Sequence, residues 1–227
     1  MKLLIFCPSP RDIPEFTEAI NSINADKLIV KYLSYHDEPY PQARKFFLQH
    51  KQYTHFAICP DDLIVTPEGV EQLIKDAETR DFIAGMCNVD LTDLDVLAMT
   101  YNLPSKERAG RRFVWYRKED LEFRDSIISV GWCGTPFAIF SRKLIEKLHF
   151  LGDQRWNDGA SKTESFDIGI ATDLKSMNIQ EMVDTRVFFH HMRFGGESKV
   201  GIKQPYMLWI HDGKAEKLAV KNSFNKS

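Results

Sequence analysis

A chain of 227 residues, 43% hydrophobic and 12% aromatic, is long enough for one α/β domain and apolar enough for a packed core. Thirty basic and thirty-two acidic residues leave a formal net charge of −2, which excludes the electrostatic footprint of a bulk nucleic-acid binder. The four cysteines, Cys7, Cys59, Cys87 and Cys133, lack any CxxC or Cys/His zinc spacing. They read as reduced thiols, so a cytoplasmic location is expected. Leu3 to Cys7 is too short an apolar run for a signal peptide, and no stretch is long enough to span a bilayer.

In chain order, Leu3 to Cys7 reads as a buried strand, broken at Pro8-Ser9-Pro10-Arg11-Asp12. Ile13, Phe16, Ile20 and Ile23 then recur at helical spacing from about Pro14. Lys27 to Leu33 is a second strand, followed by a polar loop containing Asp37. A helix over roughly Pro41 to His50 turns Ala43, Phe46 and Phe47 inward, and Phe56 to Cys59 is the next strand. Thr66 and Pro67 open a helix as cap and first residue, with Val70, Leu73, Ile74 and Ala77 on its apolar face. Phe82 to Cys87 follows as a strand. This alternation predicts an α/β fold, a single Rossmann-type domain with a mostly parallel sheet flanked by helices.

From Asn88 to Asp125 the period is lost, and the segment reads as an irregular insertion with one or two antiparallel strands, at Phe113 to Arg117 and Ser126 to Val130. Its Lys106, Arg108, Arg111 and Arg112 form either a phosphate-attracting patch or a solvated charge run. Gly131 and Gly134 flank Trp132 and Cys133, which fits a turn or a close backbone approach. Phe137 to Phe140 is a strand, and Ser141 caps the helix that follows it. Phe166, Ile170, Leu174 and Met177 share one face of a helix starting near Thr163. Val183 to His191 is the last sheet strand. No linker or repeat divides the chain. The expected division is a domain over residues 1–192 and, over 193–227, a peripheral extension of it, read as loop and short helix.

The chemistry centres on Asp61 and Asp62, adjacent carboxylates at the exit of the Phe56 strand. In open α/β sheets ligands lie at the carboxyl ends of strands, so this pair suits a divalent cation and an anionic ligand. A polar turn that merely ends the strand is the competing reading. Asp167 falls in the first turns of its helix, where the dipole alone would favour an acid.

The order of these parts resembles the GT-A fold glycosyltransferases, which use nucleotide-diphosphate sugars. Leu3 to Arg11 is similar to the family's first strand and nucleotide-contacting loop. Ala43-Arg44 and Pro60-Asp61-Asp62 resemble its arginine-bearing helix and DxD region. The run GWCGTPFAIFSRKLIEKL from Gly131 resembles the acceptor-side loop, strand and helix. Ser165-Phe166-Asp167-Ile168, followed by Val183-Asp184 and Val187 to His191, resembles the catalytic-acid helix and the strand ending in histidine. Pro60 stands where the first acid of DxD falls, and Phe166 where an acid precedes the catalytic one.

The resemblance implies Asp62 and His191 as ligands of Mn²⁺ or Mg²⁺, and Asp167 as general base. It implies Pro8, Arg11, Asp37, Arg44 and Asp61 as nucleotide contacts, and Trp132, Gly134 and Thr135 as contacts to sugar or acceptor. The implied partners are a UDP- or GDP-linked sugar and a glycan, protein or lipid-linked acceptor. Two alternatives stay open: a catalytically inactive GT-A-like binding module and a sugar-phosphate nucleotidyltransferase.

Overall fold

The computed structural model describes residues 1–31, 39–89, 93–102, 113–121, 126–148, 166–192 and 206–219. Its first half alternates as the periodicity predicts: β1 (Leu3–Pro8), α1 (Pro14–Ser22), β2 (Asp26–Lys31), α2 (Pro39–Gln49), β3 (His55–Ile58), a two-residue β4 (Leu63–Ile64), α3 (Pro67–Ala77) and β5 (Phe82–Met86). All of β1 is buried, which is what an unbroken apolar run achieves when both sheet faces are covered. The Thr66 hydroxyl accepts the Gly69 amide at 3.2 Å, so the capping residue read from the sequence does start α3.

The second half comprises β6 (Val96–Thr100), β7 (Trp115–Arg117), β8 (Ile127–Val130), β9 (Trp132–Cys133), β10 (Ala138–Ser141), a one-turn α4 (Arg142–Ile145), α5 (Phe166–Ser176), β11 (Glu181–Phe188), β12 (His190–His191), β13 (Tyr206–His211) and β14 (Lys214–Ala219). Nine of the strands form one sheet in the order β14-β13-β2-β1-β3-β10-β5-β11-β8. β2, β1 and β3 pair in parallel, as do β5 and β11. β10 is antiparallel between β3 and β5, and β8 is antiparallel at the outer edge of β11. Six strands thus point one way, against β13, β10 and β8. A small antiparallel sheet, β7-β6-β9, stands beside it.

Side chains alternate across β1 and so feed two cores. Leu4 and Phe6 pack with Phe56, Phe82 and Phe140 on one face, while Ile5 and Cys7 pack with Ile20, Ile83, Ile139 and Phe189 on the other. A third, smaller cluster joins Trp132, Ile168 and Ala171 with Phe113 and Trp115.

The sequence reading needs two corrections here. The irregular insertion contains an extra strand, β6, which pairs with both β7 and β9. The expected short helix of the tail is instead a hairpin: β13 and β14 pair through a turn at Asp212 (φ 45°) and Gly213 (φ 74°), a left-handed pair suited to a two-residue hairpin loop. β13 joins the main sheet alongside β2. Trp209 Nε1 donates to the buried Tyr53 hydroxyl at 3.1 Å, and that hydroxyl donates to Asp26 at 2.8 Å, so the hairpin is tied to the core. Among the described residues no helix is long and apolar enough to cross a membrane.

Candidate functional site

Because β1 and β3 are parallel neighbours, their exits bring residues 9–12 and 60–62 to the same end of the sheet. Arg11 and Asp61 meet there. The Arg11 amide donates to Asp61 Oδ2 at 3.1 Å, its Nε donates to Oδ1 at 3.1 Å, and its Nη2 also binds Oδ1. The same Nη2 lies 2.9 Å from Asp62 Oδ2. Lys31, at the end of β2, holds the loop from the other side, its Nζ donating to the carbonyl of Arg11 at 2.7 Å and the hydroxyl of Ser9 at 2.9 Å.

β12 supplies the opposing side. His191 pairs with Leu63 of β4, and the Met192 amide donates to the Asp62 carbonyl at 2.7 Å. Phe189, just before this strand, is locked in place. Its amide donates to Met86 at 2.8 Å, and its ring fills a slot that a side chain at Gly85 would invade, since a Cβ there would lie 2.8 Å away. His191 Nδ1 is 3.2 Å from the Asn88 carbonyl oxygen, which can only accept, so Nδ1 carries the proton. Nε2 faces Asp62, with Oδ2 at 3.7 Å.

The electrostatics follow from these contacts. Burial pushes Asp62 upward, but the neighbouring His191 and Arg11 outweigh it and hold the carboxyl below its ordinary value. Burial works against the Arg11 charge, yet the bonds to Asp61 and Asp62 raise its pKa, fixing it as a cation. Asp61 is only 2% exposed, and burial raises it despite Arg11.

The metal implied by the resemblance can be tested on the donors present. A histidine oriented through one nitrogen by a backbone carbonyl, with the other aimed at a carboxylate, suits a cation. It is a partial site: among the described residues no group of three or more His, Cys, Asp or Glu side chains could enclose a metal. A Mg²⁺- or Mn²⁺-type ion held by Asp62 and His191 would have to take its remaining ligands from water and substrate phosphates.

A cavity of about 190 Å³ opens beside this pair, lined by Asp62, His191, Asn88, Trp115, Trp132 and Gly134 among others. Trp132 is buried, and its indole N–H has no partner among the described residues. Thr135 is buried with φ 47°, a strained conformation for a β-branched residue, and its hydroxyl is likewise without a partner. The close approach expected at the flanking glycines holds at Gly131, where a Cβ would come within 2.4 Å of Asn102 backbone. A larger cavity of about 560 Å³ lies elsewhere, lined by Lys2, Asn24 and Asp26 near the starts of β1 and β2, away from the carboxylates.

Behind β9 lies a second acid that the sequence did not single out. Glu181 is 4% exposed; its Oε2 accepts the Cys133 amide at 2.7 Å, while Oε1 is unpartnered among the described residues. Burial pushes its pKa up to about 8, although bonds from Cys133 pull the other way and the Asp167 charge adds to the rise. Asp167 is half-buried in the first turn of α5, its Oδ1 accepting the Ile168 amide at 2.8 Å, and its helix packs on β9 through Ile168 and Trp132. It is not part of the cavity lining described above.

The structure thus brings Arg11, Asp61, Asp62 and His191 together, with Trp132 and Gly134 on the adjoining cavity. Asp61 is paired with Arg11, which occupies both of its oxygens. The Arg44 guanidinium donates to the carbonyls of Ile145 and Glu146 at 2.9 Å each, closing the end of α4. That end follows Ser141, which pairs with His55 at the start of β3, so Arg44 is held at the opposite end of the strands from Asp62. Pro8 is buried as the last residue of β1. Asp37, the basic run from Lys106 to Arg112, and the start of the helix expected near Thr163 lie outside the described residues. Of the tryptophans, Trp115 is half-buried, and Trp156 lies outside the described residues.

Element order, sheet and site define a mixed α/β Rossmann-type protein whose charged residues gather at the carboxyl ends of its strands. Comparison with family models and with curated proteins gave no match. Among solved structures, the chain is similar to A197 from STIV, at 16% identity over 100% of this chain and 99% of that one, with a TM-score of 0.55. That likeness establishes the shared fold. Weaker likenesses include a UDP-glucose pyrophosphorylase complexed with UDP-glucose (8% identity, 82% of this chain and 90% of that chain, TM-score 0.45). Another is 4-diphosphocytidyl-2C-methyl-D-erythritolsynthase from Anaerococcus prevotii (9%, 89% and 92%, TM-score 0.42). Scores below one half carry no argument about this chain.

Proposed function

We propose that the protein is an enzyme of nucleotide-diphosphate sugars and, within that class, a glycosyltransferase. The observation that carries the reading is the convergence of Arg11, Asp62 and His191, from three separate segments, beside a cavity walled by Trp115 and Trp132. A sugar diphosphate needs an apolar surface for its ring, which the tryptophans offer, and positive charge at its phosphates, which a cation held by Asp62 and His191 would supply.

Asp62 and His191 would hold a divalent cation, which when bound supplies charge neutralisation for the departing diphosphate. The chain's own residues do the remaining work. Arg11, held by Asp61, gives Asp62 a fixed orientation and leaves the carboxylate ionised at neutral pH. Asp167 takes the proton of the acceptor hydroxyl as its oxygen bonds to the anomeric carbon, and the bond from that carbon to the phosphate oxygen breaks, its electrons leaving on the nucleoside diphosphate. The Trp132 to Thr135 segment, which packs on α5 through Trp132 and lines the cavity through Trp132 and Gly134, would orient the acceptor. The sugar-phosphate nucleotidyltransferase alternative would use the same end of the sheet with a nucleoside triphosphate and a sugar phosphate. The loop after β1 argues against it, because that loop is pinned by Lys31 and Asp61 and is not an open glycine-rich cradle.

Release of UDP or GDP from a panel of nucleotide sugars, with glycan acceptors and Mn²⁺, tests the proposal, beside release of pyrophosphate from nucleoside triphosphates with sugar phosphates. The expected result is diphosphate release that Asp167→Asn lowers about 10²- to 10⁴-fold while donor binding persists. Pyrophosphate release alone would move the protein to the nucleotidyltransferase class, and an Asp167→Asn variant of full activity would remove Asp167 from the mechanism.

A further inference from the structure

The larger cavity, of about 560 Å³, lies at the amino ends of the strands and shares no residue with the lining of the one beside Asp62. Its size falls in the roughly 300–1,000 Å³ range of small-molecule sites. Leu3, Ile23, Ile74 and Ile210 give it an apolar side. Its unusual member is Lys27. Along β2, Leu28 and Val30 enter the Phe56 core, so alternation puts Lys27 on the other face, with Ile29 and with Ile23 from the end of α1. Lys27 is 5% exposed, and its Nζ donates to the carbonyls of Ile23 at 2.8 Å and Ala25 at 2.9 Å. Both of those residues also line the cavity.

A lysine buried to that depth normally has a counter-charge. Here the two carbonyls accept two of its three N–H groups and supply no full negative charge. Among the described residues no carboxylate forms an ion pair with Nζ. The two acids of the lining are engaged elsewhere: Asp26 accepts the Tyr53 hydroxyl at 2.8 Å and lies 3.4 Å from Lys2 Nζ, and Asp212 lies 3.9 Å from the same ammonium. Desolvation lowers the Lys27 pKa, and Cys7 and Asp26 only partly offset it. An anionic head at Nζ would stabilise the charge, and a hydrocarbon body behind it would cover Leu3, Ile74 and Ile210.

We infer that this cavity is a second binding site, for an amphiphilic organic anion whose carboxylate or phosphate head pairs with Lys27. The site stands at the opposite end of the sheet from Asp62, and it goes beyond the nucleotide-sugar reading without resting on it.

Octanoate and octyl phosphate, with octanol and inorganic phosphate as controls, titrated into the full chain while its amide chemical shifts are followed, test it. The expected result is saturable binding of at least one of the two amphiphilic anions, with a dissociation constant of about 1 mM or tighter and shifts centred on residues 23–27 and 210–213. Whichever anion binds more tightly identifies the head. Octanol and inorganic phosphate should each bind about tenfold more weakly or worse. Lys27→Met removes the charge at similar length and should lose about tenfold in affinity. Asn21→Trp leaves Lys27 in place and adds a ring to the lining from an exposed position of α1; it should lose a similar amount, which keeps the test decisive if Lys27→Met does not fold. Octanol binding as tightly as octanoate, or full affinity in a folded Lys27→Met, would overturn the anion assignment. Inorganic phosphate binding as tightly as octyl phosphate would overturn the apolar half of it. No saturable binding, or shifts centred on residues 60–62 instead, would overturn the site while leaving the nucleotide-sugar reading to its own test.

Discussion

Asp61 and Glu181 are both nearly inaccessible carboxyl groups, and their surroundings are opposite. Asp61, at 2% exposure, has the Arg11 guanidinium and amide distributed over both of its oxygens. Glu181, at 4%, has a backbone amide and the Cys133 thiol near one oxygen and no partner on the other among the described residues. Burying a carboxylate is tolerable when a counter-charge and hydrogen bonds accompany it; without a counter-charge the group keeps its proton. The first arrangement builds a rigid, charged frame for Asp62. The second places an acid that holds its proton to about pH 8 next to Asp167, so that two neighbouring carboxyl groups need not both be charged.

The contrast is broken or sharpened most strongly at Arg11. Replacing it by Ala strands Asp61 in the interior and should lower the unfolding free energy by about 3–5 kcal/mol in urea titrations. The double change Arg11→Met with Asp61→Leu should recover most of that loss. A single Arg11→Ala variant within 1 kcal/mol of wild type would show that the pair is not the frame described.

At Glu181 the expected effect is smaller and depends on pH. Its folded value of about 8 lies above the ordinary 4.5, so the folded state keeps a proton that the unfolded chain has released. The contribution is therefore fully present below pH 4.5 and is lost as pH rises through 8, by roughly 2–3 kcal/mol between pH 5 and pH 7. Glu181→Gln cannot ionise and should flatten that decline. A slope the same in both proteins would mean that the carboxyl is relieved by a contact not seen here.

Much of this was legible in the sequence, and the reasons for the rest are specific. The alternation of β1 to β5 with helices could be read because parallel strands buried on both faces leave continuous apolar runs such as Leu3 to Cys7. Arg11, Asp61, Asp62 and His191 could be listed as candidates from their positions at strand exits, but their pairing could not. Only the side-by-side placement of β1 and β3 turns Asp61 toward Arg11, and only the arrival of α4 beside α2 shows that Arg44 caps a helix. Glu181 carried no signal, since an acid at a strand start normally reads as exposed. The hairpin of β13 and β14 did carry one, since Asp212-Gly213 between two runs of strand-forming residues is a strong hairpin mark.

The most direct measurement of the central claim is the thermal and chemical stability of wild type and Asp62→Asn with UDP- and GDP-sugars, each with and without Mn²⁺. The account predicts that at least one nucleotide sugar, at a hundredfold its dissociation constant, stabilises the wild type by roughly 2.7 kcal/mol when Mn²⁺ is present. It also predicts that Asp62→Asn loses the Mn²⁺-dependent part of that gain. A nucleotide sugar that stabilises both proteins equally, with or without the ion, would contradict the role given to Asp62 and His191, and a wild type indifferent to every nucleotide sugar would contradict the account as a whole.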